Sequence, residues 1–316
     1  LAGEQSQLNF GDQWKVLVYD QACRDIISPL LNVGALRAKG VTLHMLLHSD
    51  REAVPDAPAV YFVRPTEANL KRIAEDCAKN LYRSVYLNFV SRIERPLLEK
   101  FAQDLVATNS VGMVTKIVDQ YLDVIALEPN LFTLNMPKSF VSYNAKGVSE
   151  KDIQQYMTSV SAGLLSAVRV MGTMPIIRSP PGGAAEMLAQ NLGSLLRENI
   201  GPRGPASALL NESLSLSQHQ SRPLLIVIDR STDMCPPLQH TASYQALVDD
   251  LLEHRLNRAT IDSSSGGIGA GGDAGDGRKG GQKKTYDLNT HSDAFYGIYA
   301  AEPFPEAVEA NEKELA

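Results

Sequence analysis

The sequence predicts an α/β protein built on parallel sheets, and three observations carry that prediction. Runs that are apolar almost throughout, such as Val16–Tyr19 in "WKVLVYD", recur at short intervals; segments with helical spacing separate them; and polar turns bearing Pro or Gly divide the two. Strands that alternate with helices and are themselves nearly all apolar are what a parallel sheet covered on both faces requires.

Taken in order, residues 14–20 form the first strand and "CRDIISPLLNVGALRAKG" a helical stretch closed by Gly40. "VTLHMLLH" and "AVYFVR" are the second and third strands. Thr66 is a natural N-cap for "EANLKRIAEDCAKNLY", because its hydroxyl can accept an N–H that opens the helix. "SVYLNF" is a fourth strand. Two further helices are predicted, Leu97–Ala107 behind Pro96 and Met113–Val124 behind Gly112, and "LFTLN" ends the first domain. The second opens on the long helical pattern of "EKDIQQYMTSVSAGLLSAVRV". Strand "MPIIR", the turn "SPPGG", a helix through Arg197, a loose linker over 201–221 and the buried strand Leu224–Ile228 then make a second βαβ unit. Residues 262–284, "DSSSGGIGAGGDAGDGRKGGQKK", cannot bury enough apolar surface to offset the entropy of ordering, and disorder is expected there.

Bulk properties exclude several classes. A chain of 316 residues suggests two domains with room for part of a third. The formal net charge of −6 argues against a nucleic-acid binder or a polybasic membrane docker. Cys23, Cys77 and Cys235 lie far apart with no Cys-x-x-Cys pair, giving neither a disulfide framework nor a zinc cluster, and a reducing compartment fits. No basic region followed by an apolar run opens the chain, and no stretch approaches the roughly 18 apolar residues of a spanning helix. The expectation is a cytosolic protein, peripheral to a membrane at most.

Candidate chemistry is sparse. Gly267-Ile-Gly269-Ala-Gly-Gly272 fits a dinucleotide fingerprint, but no strand precedes it and a glycine tract generates the pattern by composition. "IIRSPPGGAAEML" offers a strand, a Gly-Gly turn and a helix N-terminus to an anion; Pro180 and Pro181 remove donors, Glu186 repels, and a tight structural turn is the reading preferred. His44 and His48 share a strand face without a third ligand. No nucleophile elbow is present. The strand ends carry acids: Asp20 and Asp25 after the first, Asp229, Arg230 and Asp233 after Leu224–Ile228. These could act as general acid and base in a hydrolase or nucleotide-binding enzyme, or accept backbone N–H groups in the turns. Two loops built alike favour scaffold. Two apolar stripes complete the inventory, Leu98, Phe101, Ala102 and Leu105 on one helix and Val114, Ile117, Val118 and Tyr121 on the next. Spacing alone favours packing on their own core over a partner's groove.

Beyond these local readings, "VLVYDQACRDIISPLL", "VYLNFVSRIERPLLEKFA", "MPIIRSPPGGAAEMLAQNLGSLLRE" and above all "VIDRSTDMCPPLQH" resemble the Sec-one/Munc-eighteen (SM) family of vesicle-fusion regulators, in its branch serving traffic between ER and Golgi. The likeness runs from Trp14 to Arg258 and resumes at "KTYDLN". It implies a Rossmann-like first domain (14–136, behind a tail, 1–13), the first part of a second α/β domain (137–240) and the start of a mostly helical third (241–316). It implies no enzymatic activity and no cofactor. The implied partners are a syntaxin-type SNARE, bound through its N-terminal peptide and its SNARE helices, with peripheral membrane association through SNAREs and action as a monomer. Carried over by position, the peptide pocket falls on Leu98, Phe101, Ala102, Leu105, Val114, Ile117 and Val118.

Overall fold

In the computed structural model, which describes residues 14–200, 222–262, 283–290 and 293–315, the run after Trp14 forms β1 (Lys15–Tyr19). Four strands join it: β2 (Val41–Leu46), β3 (Val54–Val63), β4 (Tyr82–Phe89) and β5 (Val114–Asp119). All pair in parallel, in the order β2-β1-β3-β4-β5, with β2 and β5 at the edges. Helices α1 (Gln21–Ile27) and α2 (Val33–Ala38) connect β1 to β2; α3 (Glu67–Ala78) and α4 (Arg95–Ala107) make the crossovers to β4 and β5. The strand order reverses direction after β2, so right-handed crossovers set the two helix pairs on opposite faces.

The core lies on the α3/α4 face, where Val16, Val18, Tyr61, Leu87 and Phe89 meet Leu70, Ile73, Phe101 and Leu105. The reverse face is less well covered than a doubly buried sheet predicts: Val60, Phe62, Tyr86 and Asn88 are half-buried. A polar network fixes the loop before β3. Arg51, its side chain fully buried, donates to Asp76 at 2.6 Å, to Tyr82 and to the Leu47 carbonyl, and Tyr61 donates to the same carboxylate.

Two local expectations are corrected. The helical stretch before Gly40 is two helices, because Pro29 interrupts it and Asn32 caps the second by accepting Ala35 N–H at 2.8 Å. The helix expected over Met113–Val124 is instead β5. Val, Thr, Ile and Val crowd the backbone of a helix but suit a strand, and α4 has already been terminated: Asn109 at φ 54 stands in the left-handed region while Asn109 N donates to Val106 O and Ser110 N to Leu105 O.

Beyond β5 come β6 (Ile125–Glu128), β7 (Leu131–Thr133), α5 (Ser139–Asn144) and the long α6 (Glu150–Met171). Ser149 caps α6 and Gly172, at φ 66, ends it. Then β8 (Ile176–Arg178), α7 (Gly183–Ile200) and β9 (Leu224–Ile226) form a second parallel unit in which β8 pairs with β9 and α6 packs on α7 through Leu165, Val168, Leu192 and Leu196. The strand expected to be buried over Leu224–Ile228 is shorter and one-sided: Leu225 packs inward, while Leu224, Ile226 and Ile228 are exposed.

The chain divides into two compact units, one of residues up to Ala126 with Phe132–Asp229, the other of Leu127–Leu131 with residues from Arg230 on. In the second, α8 (Tyr244–Leu251), α9 (Ala294–Tyr299) and α10 (Phe304–Leu315) accompany an antiparallel sheet of β10 (Glu253–Arg255), β11 (Arg258–Asp262) and β12 (Lys283–Asp287). The rings of Tyr244, Tyr296 and Phe304 cluster there. Asp262 pairs with Lys283 and Ile261 with Lys284, so the ends of the tract expected to be disordered are strand; its glycines, including the fingerprint match at 267–272, and the linker 201–221 lie outside the described residues.

Candidate functional site

The predicted pocket residues are divided between α4 and β5, the edge strand of the first sheet, and so do not lie on two helices. On α4, Phe101 and Leu105 are 1% and 4% exposed and belong to the core, whereas Leu98 is half-buried against that core and Ala102 is exposed. The stripe continues one turn on to Val106, which is 67% exposed and extends the i+4 repeat of Leu98 and Ala102 that the sequence carries.

On β5 the register decides which side chains join them. Val114 pairs with Val85 and Ile117 with Leu87, both on the face that α4 covers. The register shifts after Val114, which leaves Thr115 as the extra residue of a bulge and turns two side chains three apart to one side. Val114 is half-buried against the core and Ile117 is 39% exposed. Val118 pairs with Asn88 on the reverse face. The structure therefore turns Val114 and Ile117 to the sheet face that α4 covers, keeps Phe101 and Leu105 in the core with Leu98 packed against it and Ala102 exposed, and sends Val118 to the reverse face. On the other flank of α4 a groove of about 450 Å³ opens toward α3, floored by Leu70, Ala74 and Phe101 and rimmed by Lys71 and Asp104.

The strand-end acids have structural employment. Asp20 is buried and accepts three hydrogen bonds, from Cys23 N at 2.8 Å, Arg64 N at 2.9 Å and Asn69 Nδ2 at 2.7 Å. It thereby caps α1 and ties the ends of β1 and β3 together at the point where strand order reverses, the usual ligand crevice of such sheets. An internal carboxylate occupies the helix N-terminus that a phosphate would use. Beside it a hollow of about 260 Å³ is lined by Gln21, Asp25, Arg64, Asp123 and Asn135 among others. Arg64 lies 3.7 Å from Asp123, whose carboxyl is held above the usual range by burial, with Asp20 adding to the effect and Arg64 opposing it.

The remaining candidates resolve in the same way. Asp229 accepts from Tyr143 and Asp233 accepts Cys235 N–H at 2.9 Å, a turn-forming bond. His44 bonds to the Tyr19 hydroxyl, and His48, past the end of β2, to Asn69 Oδ1, so the two histidines serve different partners. Glu186 takes Gly182 N–H at 2.6 Å, and the Gly-Gly turn is capped from within. Burial pushes the Cys77 thiol up to about 12 and the Cys23 thiol higher still, with Asp20 reinforcing the latter, which leaves both as inert thiols at neutral pH.

Comparison with known proteins agrees with the fold and adds kinship. The model of the Sec1 family matches residues 15–316. Sec1 family domain-containing protein 1 of Homo sapiens is 44% identical over 308 residues, covering 96% of this chain and 47% of its own. Protein sly1 of Schizosaccharomyces pombe is 38% identical over 302 residues, 96% of this chain and 44% of its own. The chain thus spans about half the length of the curated relatives it matches. Among solved structures, Sly1p in complex with an N-terminal peptide of Sed5p superimposes with a TM-score of 0.76 at 32% identity, over 95% of this chain and 45% of that one. The SM protein Vps45, at 20% identity and a TM-score of 0.74 over 97% of this chain and 52% of its own, shares the fold.

Proposed function

The chain belongs to the Sec1 family, and on that premise we propose that it is a non-enzymatic SM-type regulator that binds a syntaxin-class SNARE and promotes SNARE assembly in vesicle docking and fusion between ER and Golgi. It works on the cytoplasmic side, peripheral on those membranes through its SNARE partners, as a monomer within the complexes it forms. On this reading residues 14–136 are the peptide-binding domain, 137–240 begin the second domain and 241–316 open the third.

The observation that carries the reading is the likeness to Sly1p, whose solved structure holds an N-terminal peptide of Sed5p, taken with the half-exposed apolar patch at the β5 margin. Leu98, Ala102, Val114 and Ile117 receive an apolar side chain of the peptide, and Phe101 and Leu105 form the floor that holds them in place. Burying one large apolar side chain there contributes about 1.5–3 kcal/mol, enough to anchor a short segment without the rest of the partner. The absence of enzymatic activity is supported by Asp20, Asp229 and Asp233, each engaged in a hydrogen bond of the fold.

The test is a titration of a fluorescent peptide copying the N-terminus of an ER–Golgi syntaxin into the recombinant chain, beside Ile117→Arg and Ala102→Arg. Both positions are exposed, so the fold tolerates the change; Phe101→Arg would drive a charge into the core and confuse binding with unfolding. Each arginine is expected to weaken binding by roughly tenfold or more with an unchanged circular dichroism spectrum. A well-folded wild type that binds no peptide, or arginine variants that bind as well as wild type, would sink the assignment.

A further inference from the structure

Two residues past β5 the backbone does something unusual for its side chain. Tyr121 sits at φ 53, in the left-handed region that bulky residues rarely adopt, and such outliers concentrate where a structure is held for a purpose. Main-chain bonds clamp it on both sides: Gln120 N donates to Phe89 O and Leu122 N to Val90 O, each at 2.7 Å. The clamp fixes where the ring goes. It is 7% exposed, buried among Leu165 and Val168 of α6 and Leu192 and Leu196 of α7.

Arg169, in the last turn of α6, lies over that ring with its guanidinium carbon 3.8 Å from the centroid. Its Nη1 is buried without a hydrogen-bond partner among the described residues, so the ring face is what compensates the cation there. A second fastening lies nearby. A Cβ on Gly163 of α6 would stand 2.8 Å from Leu134 Cδ2 and 3.3 Å from the Asp123 carbonyl oxygen, which means that helix and chain approach as closely as only glycine permits. The exit of β5 is thus bolted to α6 at two points.

We propose that Tyr121 is a joint through which the peptide site on β5 and the α6–α7 pair stabilise one another, an inference that rests on the peptide-site reading above. Peptide seated on α4 and β5 suppresses fraying at the free edge; because the strand continues directly into the clamped residue, the last turns of α6 are ordered with it. Linkage makes the effect reciprocal: whatever loosens the Tyr121–Arg169 contact weakens the peptide.

The experiment is hydrogen–deuterium exchange with and without the syntaxin N-terminal peptide, beside peptide titrations, on wild type, Tyr121→Phe and Tyr121→Asn. Asn accepts the left-handed backbone but lacks the ring. The expected result is slower exchange in the α6 segment 163–171 when peptide binds wild type or the Phe variant. The Asn variant is expected to lose that protection and to bind roughly fivefold or more weakly. A folded Tyr121→Asn that binds and protects like wild type overturns the joint. Should that variant not fold, Arg169→Met removes the cation without touching the β5 exit, and unchanged protection of α6 in it is equally fatal. A wild type that binds peptide with no protection in α6 overturns the joint alone, whereas a wild type that binds no peptide removes the peptide site and the joint with it.

Discussion

Replacing Asp20 by Ala separates a scaffold carboxylate from a catalytic one. The side chain is 7% exposed and accepts from Cys23 N, Arg64 N and Asn69 Nδ2 at 2.8, 2.9 and 2.7 Å. Hydrogen bonds to a charged group contribute about 1.5–3 kcal/mol each, and donors left buried without a partner cost a similar amount. Even at the low end, losing three places the cost at about 4–5 kcal/mol, with His48 loosened in turn because it bonds to the same Asn69. For a unit of this size that corresponds to a fall of about 10 °C or more in melting temperature, read by circular dichroism. Asp20→Asn keeps one carbonyl acceptor but turns an NH₂ toward donors, and is expected to recover no more than about half of the loss. A catalytic acid behaves oppositely, since its removal commonly leaves stability unchanged or improved. Melting of Asp20→Ala within about 2 °C of wild type would refute the reasoning that assigns this carboxylate to the fold.

Two further outcomes follow from the same region. Gly163→Ala is expected to cost about 1–2 kcal/mol by chemical denaturation, because the Leu134 side chain can turn from the new Cβ but the Asp123 carbonyl cannot; an unchanged midpoint would show that α6 moves freely off that segment. Asp123 should make the wild type lose stability as pH rises. Its folded carboxyl holds a proton more tightly than the unfolded one, so stability falls as pH climbs from the ordinary carboxylate range through the raised folded value and the penalty persists above it. Asp123→Asn should therefore melt higher than wild type at neutral pH, with the difference closing on acidification; a gap that widens in acid contradicts the assignment.

What was legible in the sequence depended on how local its cause is. β1, β3, β4, α3 and α6 follow from apolar runs, helical spacing and caps such as Thr66 and Ser149, each within a few residues of the element it shapes. The Arg51–Asp76 pair and the stack of Arg169 on Tyr121 join residues far apart in the chain, and no spacing announces them. β5 shows a third case, in which a local signal misleads. Val114, Ile117, Val118 and Tyr121 have the intervals of a helix, yet the three-residue step from Val114 to Ile117 arises from a bulge at Thr115, and Tyr121 is buried through a left-handed turn. The bulge gives a strand the period of a helix.

That substitution of one element for another changes how the candidate site works. Two helices would offer a groove between convex surfaces that either could close by rolling on the core. α4 beside β5 offers instead a shelf with one mobile wall at most, because β5 is held by its ladder to β4 along its length, by the two main-chain bonds that bracket Tyr121, and by the ring beyond them. On the proposed reading, affinity for a short peptide then rests on side chains already set in place, since the bulge turns Val114 and Ile117 to one side and Leu98 packs against the core, while the unpaired outer edge of β5 is the part that binding has left to order.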